Sequence, residues 1–180
     1  FTPQYISDLV SWSAIGARTT ESQVHRQLVS GLSMPVGFKN STEGNIQIAI
    51  DAIRSAKHSH CFYGITYNGE ASIISTTGNK DCHIILRGSS RGPNYYKDDV
   101  DCTMDTCVKS DLKPNIMIDC SHGNSNKDFK NQEIVWSYIL GNYLKNKNIF
   151  GFMLESNINE GSQKLTDPDK LNYGVSITDS

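Results

Sequence analysis

Six side chains, widely spaced along this chain, have the types that hold an anion and a metal ion. Arg18, Lys39 and Arg87 are cations, and each follows a short run of apolar, strand-like residues. His122, Glu155 and Asp179 are an imidazole and two carboxylates at the ends of later runs. Arginine offers a planar fork to phosphate or carboxylate, while lysine supplies a compact charge or a proton. Three such cations on one face would repel one another unless an anion lay between them. Imidazole with two carboxylates is a mixed N/O donor set suited to Mn, Fe, Co or Zn. Their spacing is not a local metal motif, so it also fits a hydrogen-bonded histidine and two solvated acids. A single cation at a strand end likewise fits a snorkelling surface group. Asp119 lies three residues before His122, placed either to orient a ligand or to sit inside the sheet. His25, His58, His60 and His83 read as structural, His83 opening a strand on the side away from the site.

Positioning these groups requires a particular order of elements. The segments SAIGAR (13–18), PVGFK (35–39), HIILR (83–87), IMIDCSH (116–122) and FGFMLE (150–155) read as strands that end at Arg18, Lys39, Arg87, His122 and Glu155. The gaps between those residues are 21, 48, 35 and 33 residues, and most hold a helical pattern. Parallel strands need such crossovers, and a (β/α) barrel gathers the C-terminal ends of its strands around one mouth. Helices are predicted over 3–12, with Tyr5, Leu9 and Trp12 on one face, and from Thr19 to about Ser30, stopped by Gly31. Others follow over 43–57, with Ile46, Ala49, Ile50 and Ile53 inward, and over 97–109, with Val100, Met104 and Val108 inward. The last covers 127–145, with Phe129, Ile134, Trp136, Ile139, Leu140 and Tyr143 as its apolar residues. The longest gap contains a hairpin, CFYGITY (61–67) and ASIISTT (71–77) around Asn68-Gly69, a favoured tight-turn pair. The reading is α/β with a parallel sheet.

Composition narrows the function further. Lys plus Arg number 17 against 19 Asp plus Glu, a net charge of −2. A basic surplus for nucleic acid or an anionic membrane surface is therefore missing, and anion binding must come from a local cluster. No apolar run approaches the roughly 18–20 residues that cross a bilayer. The five cysteines, 61, 82, 102, 107 and 120, include no C-x-x-C pair and predict reduced thiols in a cytoplasmic protein. At 180 residues the chain suits one domain, residues 1–180. An eight-unit barrel usually needs about 250 residues and seldom fewer than about 200. Five strands in 180 residues thus predict a piece of a larger barrel, about strands 4 to 8.

Several longer motifs carry a resemblance: GARTTESQVHR (16–26), PVGFKN (35–40), CHIILRG (82–88), IDCSHGNSN (118–126), ESNINEG (155–161) and YGVSITD (173–179). Through essentially its whole length the chain resembles the class I 3-deoxy-D-arabino-heptulosonate-7-phosphate (DAHP) synthases. HSHCF, SHGNSNKDF and ESNINEG look closer to fungal than to enterobacterial members. The resemblance implies a metal-dependent (β/α)8 TIM barrel that condenses phosphoenolpyruvate (PEP) with erythrose 4-phosphate at the entry to the shikimate pathway. It places Arg18, Lys39 and Arg87 on the phosphate and carboxylate of PEP, assisted by the backbone of Gly16 and Ala17. It makes His122, Glu155 and Asp179 three of four metal ligands, with Asp179 also near substrate. Lys39 and His122 become the catalytic side chains, with Lys39 placed to donate a proton. Homo-oligomerisation is a family expectation.

The departures matter too. In this family the fourth ligand is a cysteine on the first barrel strand, and a KPRT segment on the second binds both substrates. Neither motif occurs in this sequence, and Cys61, Cys82 and Cys120 lie in other motifs. Ser89 stands where many relatives have glycine. Two alternatives therefore stand beside the synthase: a related enzyme that uses arabinose 5-phosphate, and a non-catalytic fragment or degenerate paralogue that keeps part of the site. The motifs GARTTES and SITD favour the first reading over the arabinose 5-phosphate enzyme.

Overall fold

The alternation of apolar runs and amphipathic stretches becomes an alternation of strands and helices. In the computed structural model the described residues are 5–177. They run as β1 (Ser13–Ile15), α1 (Gln23–Ser30), β2 (Val36–Lys39), α2 (Gln47–Ala56), β3 (Cys61–Ile65) and β4 (Ala71–Ser75). Then follow β5 (Cys82–Leu86), α3 (Lys97–Lys109), β6 (Ile116–Asp119), α4 (Gln132–Tyr143) and β7 (Ile149–Met153). Five strands form one sheet in the order β1-β2-β5-β6-β7, and every neighbouring pair is parallel. This is the arrangement of consecutive units of a (β/α)8 barrel. Among the described residues it is an arc, with β1 and β7 as its edges.

The two faces of the arc divide the labour. Val36, Phe38, Ile84, Leu86, Ile116 and Ile118 are fully or almost fully buried and pack with Val29, Ile50, Val100 and Val135 from the helices. Each such side chain contributes about 1.5–3 kcal/mol by leaving water. Period 2 sends the intervening residues to the other face. There a Cβ on Gly37 would lie 2.4 Å from Ile85 Cδ1 and 2.8 Å from His83 Nε2. Gly37 therefore leaves room for both. A register shift between Ile116 and Met117 skips Phe150, whose ring meets His83 edge-on at 4.7 Å. Trp12 Nε1 donates to His83 Nε2 at 3.1 Å.

The hairpin formed as read. β3 and β4 are antiparallel, and Gly69 has the left-handed φ of +84° that the turn requires. Helix α3 matches its expected span. No helix among the described residues is long and apolar enough to cross a membrane.

Other expectations need correction. The helix over 3–12 is, in the described part, a 3-10 turn at Ser7–Leu9, and Leu9 points outward at 81% exposure. A three-residue turn cannot present a helical stripe. Helix α1 starts at Gln23, because the Thr19 and Thr20 hydroxyls donate to Gly16 O at 3.1 Å and hold a turn instead. Helix α2 starts at Gln47, whose N–H donates to Asn45 Oδ1 at 2.9 Å. On α3 Val100, Thr103 and Cys107 are buried and Met104 packs half-buried against the core as expected, while Val108 is exposed. On α4 the inward residues are Gln132, Val135, Ile139 and Tyr143, whereas Ile134, Trp136 and Leu140 are exposed. Trp136 instead stacks on Phe152 at 5.5 Å. Strands β6 and β7 stop at Asp119 and Met153, so His122 and Glu155 lie in the loops beyond them.

Candidate functional site

Each parallel strand delivers a polar group at its C-terminal end. β1 runs into Gly16-Ala17-Arg18, β2 ends at Lys39, β5 is followed by Arg87 and β6 ends at Asp119. Lys39 and Arg87 are nearly buried, 8% and 7% exposed. A cavity of about 540 Å³ opens over these ends, lined by Gly16, Ala17, Arg18, Lys39, Arg87, His122 and Glu155. All the sequence-predicted site residues that are described therefore meet in one place. Asp179 lies outside the described residues. Thr19 and Thr42 also line the cavity. A threonine in a polar turn carries no signal in the sequence that marks it as part of a site.

Asp119 is the hub of the polar floor. It is fully buried, and its Oδ2 lies 2.7 Å from Lys39 Nζ and 2.9 Å from His122 Nδ1. Its Oδ1 accepts the Ser121 N–H at 2.9 Å. Burial alone would push this carboxyl up, but the His122 contact and the Lys39 charge outweigh it and hold Asp119 below the usual carboxylate range. His122 reaches back over Asp119 because its backbone is left-handed, φ +57°, a conformation that costs about 1–2 kcal/mol for a residue with a Cβ. Its other nitrogen, Nε2, lies 3.6 Å from Glu155 Oε1.

Glu155 is held in place through its backbone. Gln132, at the start of α4, donates from Nε2 to Glu155 O at 2.8 Å and accepts the Glu155 N–H at 2.9 Å. The Ser121 hydroxyl donates to Glu155 Oε2 at 3.4 Å. The carboxylate itself stays partly open, its side chain 43% exposed.

Three asparagines tie the strand ends together. Asn40 Oδ1 accepts the Arg87 N–H at 2.9 Å, and Asn40 Nδ2 donates to Gly88 O at 3.0 Å. Asn94 Oδ1 accepts the Gly88 N–H at 2.7 Å, and the Asn94 N–H donates to Asn124 Oδ1 at 2.8 Å. Asn124 Nδ2 then reaches Leu86 O at 3.1 Å and Asp119 O at 2.7 Å. On the other side, the Thr20 hydroxyl joins the end of β2 at Lys39 O, 2.8 Å away. The loops after β5 and β6 touch backbone to backbone. A Cβ on Gly88, whose φ is +72°, would lie 2.3 Å from Asn124 N, and one on Gly123 would lie 2.4 Å from Ser89 N.

The donor set fits a divalent metal in part. His122 Nε2 and Glu155 Oε1 are a nitrogen and an oxygen facing the same cavity. No group of three His, Cys, Asp or Glu is gathered in metal-binding geometry among the described residues. Cys82 and Cys120 do not add to it: burial pushes both thiols up to about 12, so they stay neutral. Of the other histidines, His25, His60 and His83 have structural partners. His25 Nδ1 pairs with the Ser22 hydroxyl at 2.8 Å, and His60 Nε2 lies 2.8 Å from Ser55 O.

Residues 1–180 match the DAHP synthetase I family. The Tyr-sensitive phospho-2-dehydro-3-deoxyheptonate aldolase of Escherichia coli is 50% identical over 181 residues, 99% of this chain and 51% of the relative. The phenylalanine-inhibited enzyme of Saccharomyces cerevisiae is 50% identical over 187 residues, 99% of this chain and 50% of the relative. Overall identity thus does not separate fungal from enterobacterial relatives as the three motifs suggested. A solved phospho-2-dehydro-3-deoxyheptonate aldolase from Francisella tularensis superposes with a TM-score of 0.91 at 47% identity, covering 99% of this chain and 52% of that one. The chain spans about half the length of these relatives. Matched from end to end by the family, and carrying strand-end groups on the arc of a barrel, this chain belongs to the DAHP synthetase I family.

Proposed function

We propose that this chain forms part of a 3-deoxy-7-phosphoheptulonate synthase, which condenses PEP with erythrose 4-phosphate and releases phosphate. The observation that carries the reading is a single cavity joining Arg18, Lys39 and Arg87 to the His122–Glu155 pair. PEP is a compact trianion, and three cations around about 540 Å³ neutralise and orient it. Lys39 contributes an ammonium held by Asp119, with a proton at Nζ available to the substrate. The Gly16-Ala17 backbone lines the same space and supports the anion.

In the bond changes, C3 of PEP joins the aldehyde carbon, water oxygen joins C2, and the C2–O bond to phosphate breaks. His122 and Glu155, with Asp179 in this reading, would hold a divalent metal (Mn, Fe, Co or Zn). When bound, such an ion supplies a Lewis acid for the aldehyde oxygen. Family membership supports a homo-oligomer as part of the same reading. Free cysteines at all five positions support a cytoplasmic setting.

The test pairs calorimetric titration with PEP and a phosphate-release assay offering erythrose 4-phosphate or arabinose 5-phosphate. Saturable PEP binding with release driven by erythrose 4-phosphate is the expected result. Release driven by arabinose 5-phosphate alone would move the assignment to the related enzyme. Binding with no release would leave a non-catalytic PEP-binding protein.

A further inference from the structure

Arg18, Lys39 and Arg87 carry like charges at the ends of three neighbouring strands, and like charges push apart. The strand ladder does not oppose this at the cavity itself. Pairing of β2 with β5 ends at Lys39 and Ile85, short of Arg87. Pairing of β1 with β2 ends at Ile15 and Phe38, short of Arg18. Beyond the ladder two fully buried polar side chains, Thr20 and Asn40, take over.

Asn40 follows Lys39 directly and acts as an extra rung toward β5. Its Oδ1 accepts the Arg87 N–H at 2.9 Å and Asn94 Nδ2 at 3.2 Å. Its Nδ2 donates to Ser41 O at 2.8 Å and Gly88 O at 3.0 Å. A carbonyl only accepts and an N–H only donates, so the amide fits one way round, with both its donors and its acceptor used. Asn40 thereby grips the chain on each side of the Arg87 side chain. Thr20 makes the matching tie between β1 and β2. Its hydroxyl hydrogen is shared between Lys39 O at 2.8 Å and Gly16 O at 3.1 Å. We propose that Thr20 and Asn40 are positioning residues, which fix the spacing of Arg18, Lys39 and Arg87 before any ligand arrives. A preset spacing favours an anion with two charged heads, because both heads must meet their cations at once. The inference rests on the reading of this cavity as a PEP site, with phosphate and carboxylate held by different cations.

The test compares PEP with inorganic phosphate, which has a single head and needs no spacing. Calorimetric titration of the intact protein with each anion, no metal added, covers the wild type, Asn40→Ala, Thr20→Val and Thr20→Ser. Asn40→Ala and Thr20→Val should weaken PEP about 10- to 100-fold, the loss expected when a binding group moves by about 1 Å. Phosphate affinity should change little in either variant. Thr20→Ser keeps the hydroxyl and should bind PEP nearly as the wild type does. Equal losses for both anions would reduce the ties to general support of the fold and overturn the proposal. PEP affinity unchanged in both variants would overturn it too. Should neither variant fold, hydrogen exchange of the wild type decides. The Arg87 N–H should be protected before PEP is added, and protection that appears only with PEP would defeat the idea of a preset spacing. No second substrate is needed, so absent synthase activity beside the expected PEP losses would sink the synthase reading alone. A wild type that binds no PEP would sink both.

Discussion

At the scale of single residues, the proposed function divides the site into groups for an anion and groups for a metal. Arg87 is 7% exposed and lines the cavity, and the proposed function assigns it to the anion. A charge-assisted hydrogen bond contributes about 1.5–3 kcal/mol, so Arg87→Ala should weaken PEP roughly 10- to 100-fold. Mn²⁺ affinity should stay within about twofold. Calorimetry with each ligand checks this, and equal losses in both would defeat the division of roles. Gly88 makes a different case. Its φ of +72° and the 2.3 Å gap from its Cβ position to Asn124 N leave no room for a side chain. Gly88→Ala should destabilise by at least about 2 kcal/mol in urea unfolding. It should also weaken PEP, since the displaced loop begins next to Arg87.

Elements act by presenting those residues on a fixed frame. Helix α4 packs its Val135, Ile139 and Tyr143 face inward, and from its first turn Gln132 grips both backbone groups of Glu155. A helix in the core thereby holds a loop that strand pairing no longer controls, since β7 ends two residues earlier at Met153. Removing the amide leaves two backbone groups to find new partners, at about 1–3 kcal/mol. Gln132→Ala should therefore reduce Mn²⁺ affinity while PEP affinity changes little. A variant that binds Mn²⁺ as wild type would show that Gln132 supports only the fold. The asparagine relay was illegible in the sequence for the same reason. Asn40, Asn94 and Asn124 bond mainly to backbone atoms at the ends of strands and in the loops after them, and only folding brings those atoms near.

Across the whole molecule, the inner face of the arc carries a pH-sensitive contact far from the chemistry. His83 is 4% exposed, and burial pushes it down to about 4 from 6.5, opposed only by a backbone hydrogen bond involving Asp81. The unfolded chain therefore binds more protons than the folded one between those values, so stability rises with pH across that window. Stability from neutral His83 is full above about pH 6.5 and is lost as pH falls toward about 4. Its size is on the order of 3 kcal/mol. Protonation also removes the acceptor that Trp12 uses. Chemical denaturation of the wild type and His83→Gln from pH 7 to 4 should show a steeper loss in the wild type. Parallel curves would exclude His83 as the source.

The sequence by itself determined the order of elements, the parallel arc and the chemistry at the strand ends. Apolar, strand-like runs that stop at a charge place Arg18, Lys39 and Arg87 where each strand leaves the core. Helix periodicity was less decisive. On α3 and α4 it left Val108, Ile134 and Leu140 apparently inward, because apolar residues on two sides of a helix give no single stripe. Asp119 could be read either as a ligand orienter or as a sheet residue. Only the tertiary structure decided, bringing Lys39 to within 2.7 Å of it across 80 residues of sequence. The left-handed turn at His122 likewise brings Nδ1 to 2.9 Å from that buried carboxylate and Nε2 to 3.6 Å from Glu155. Such choices depend on distances between strands, which local pattern does not encode.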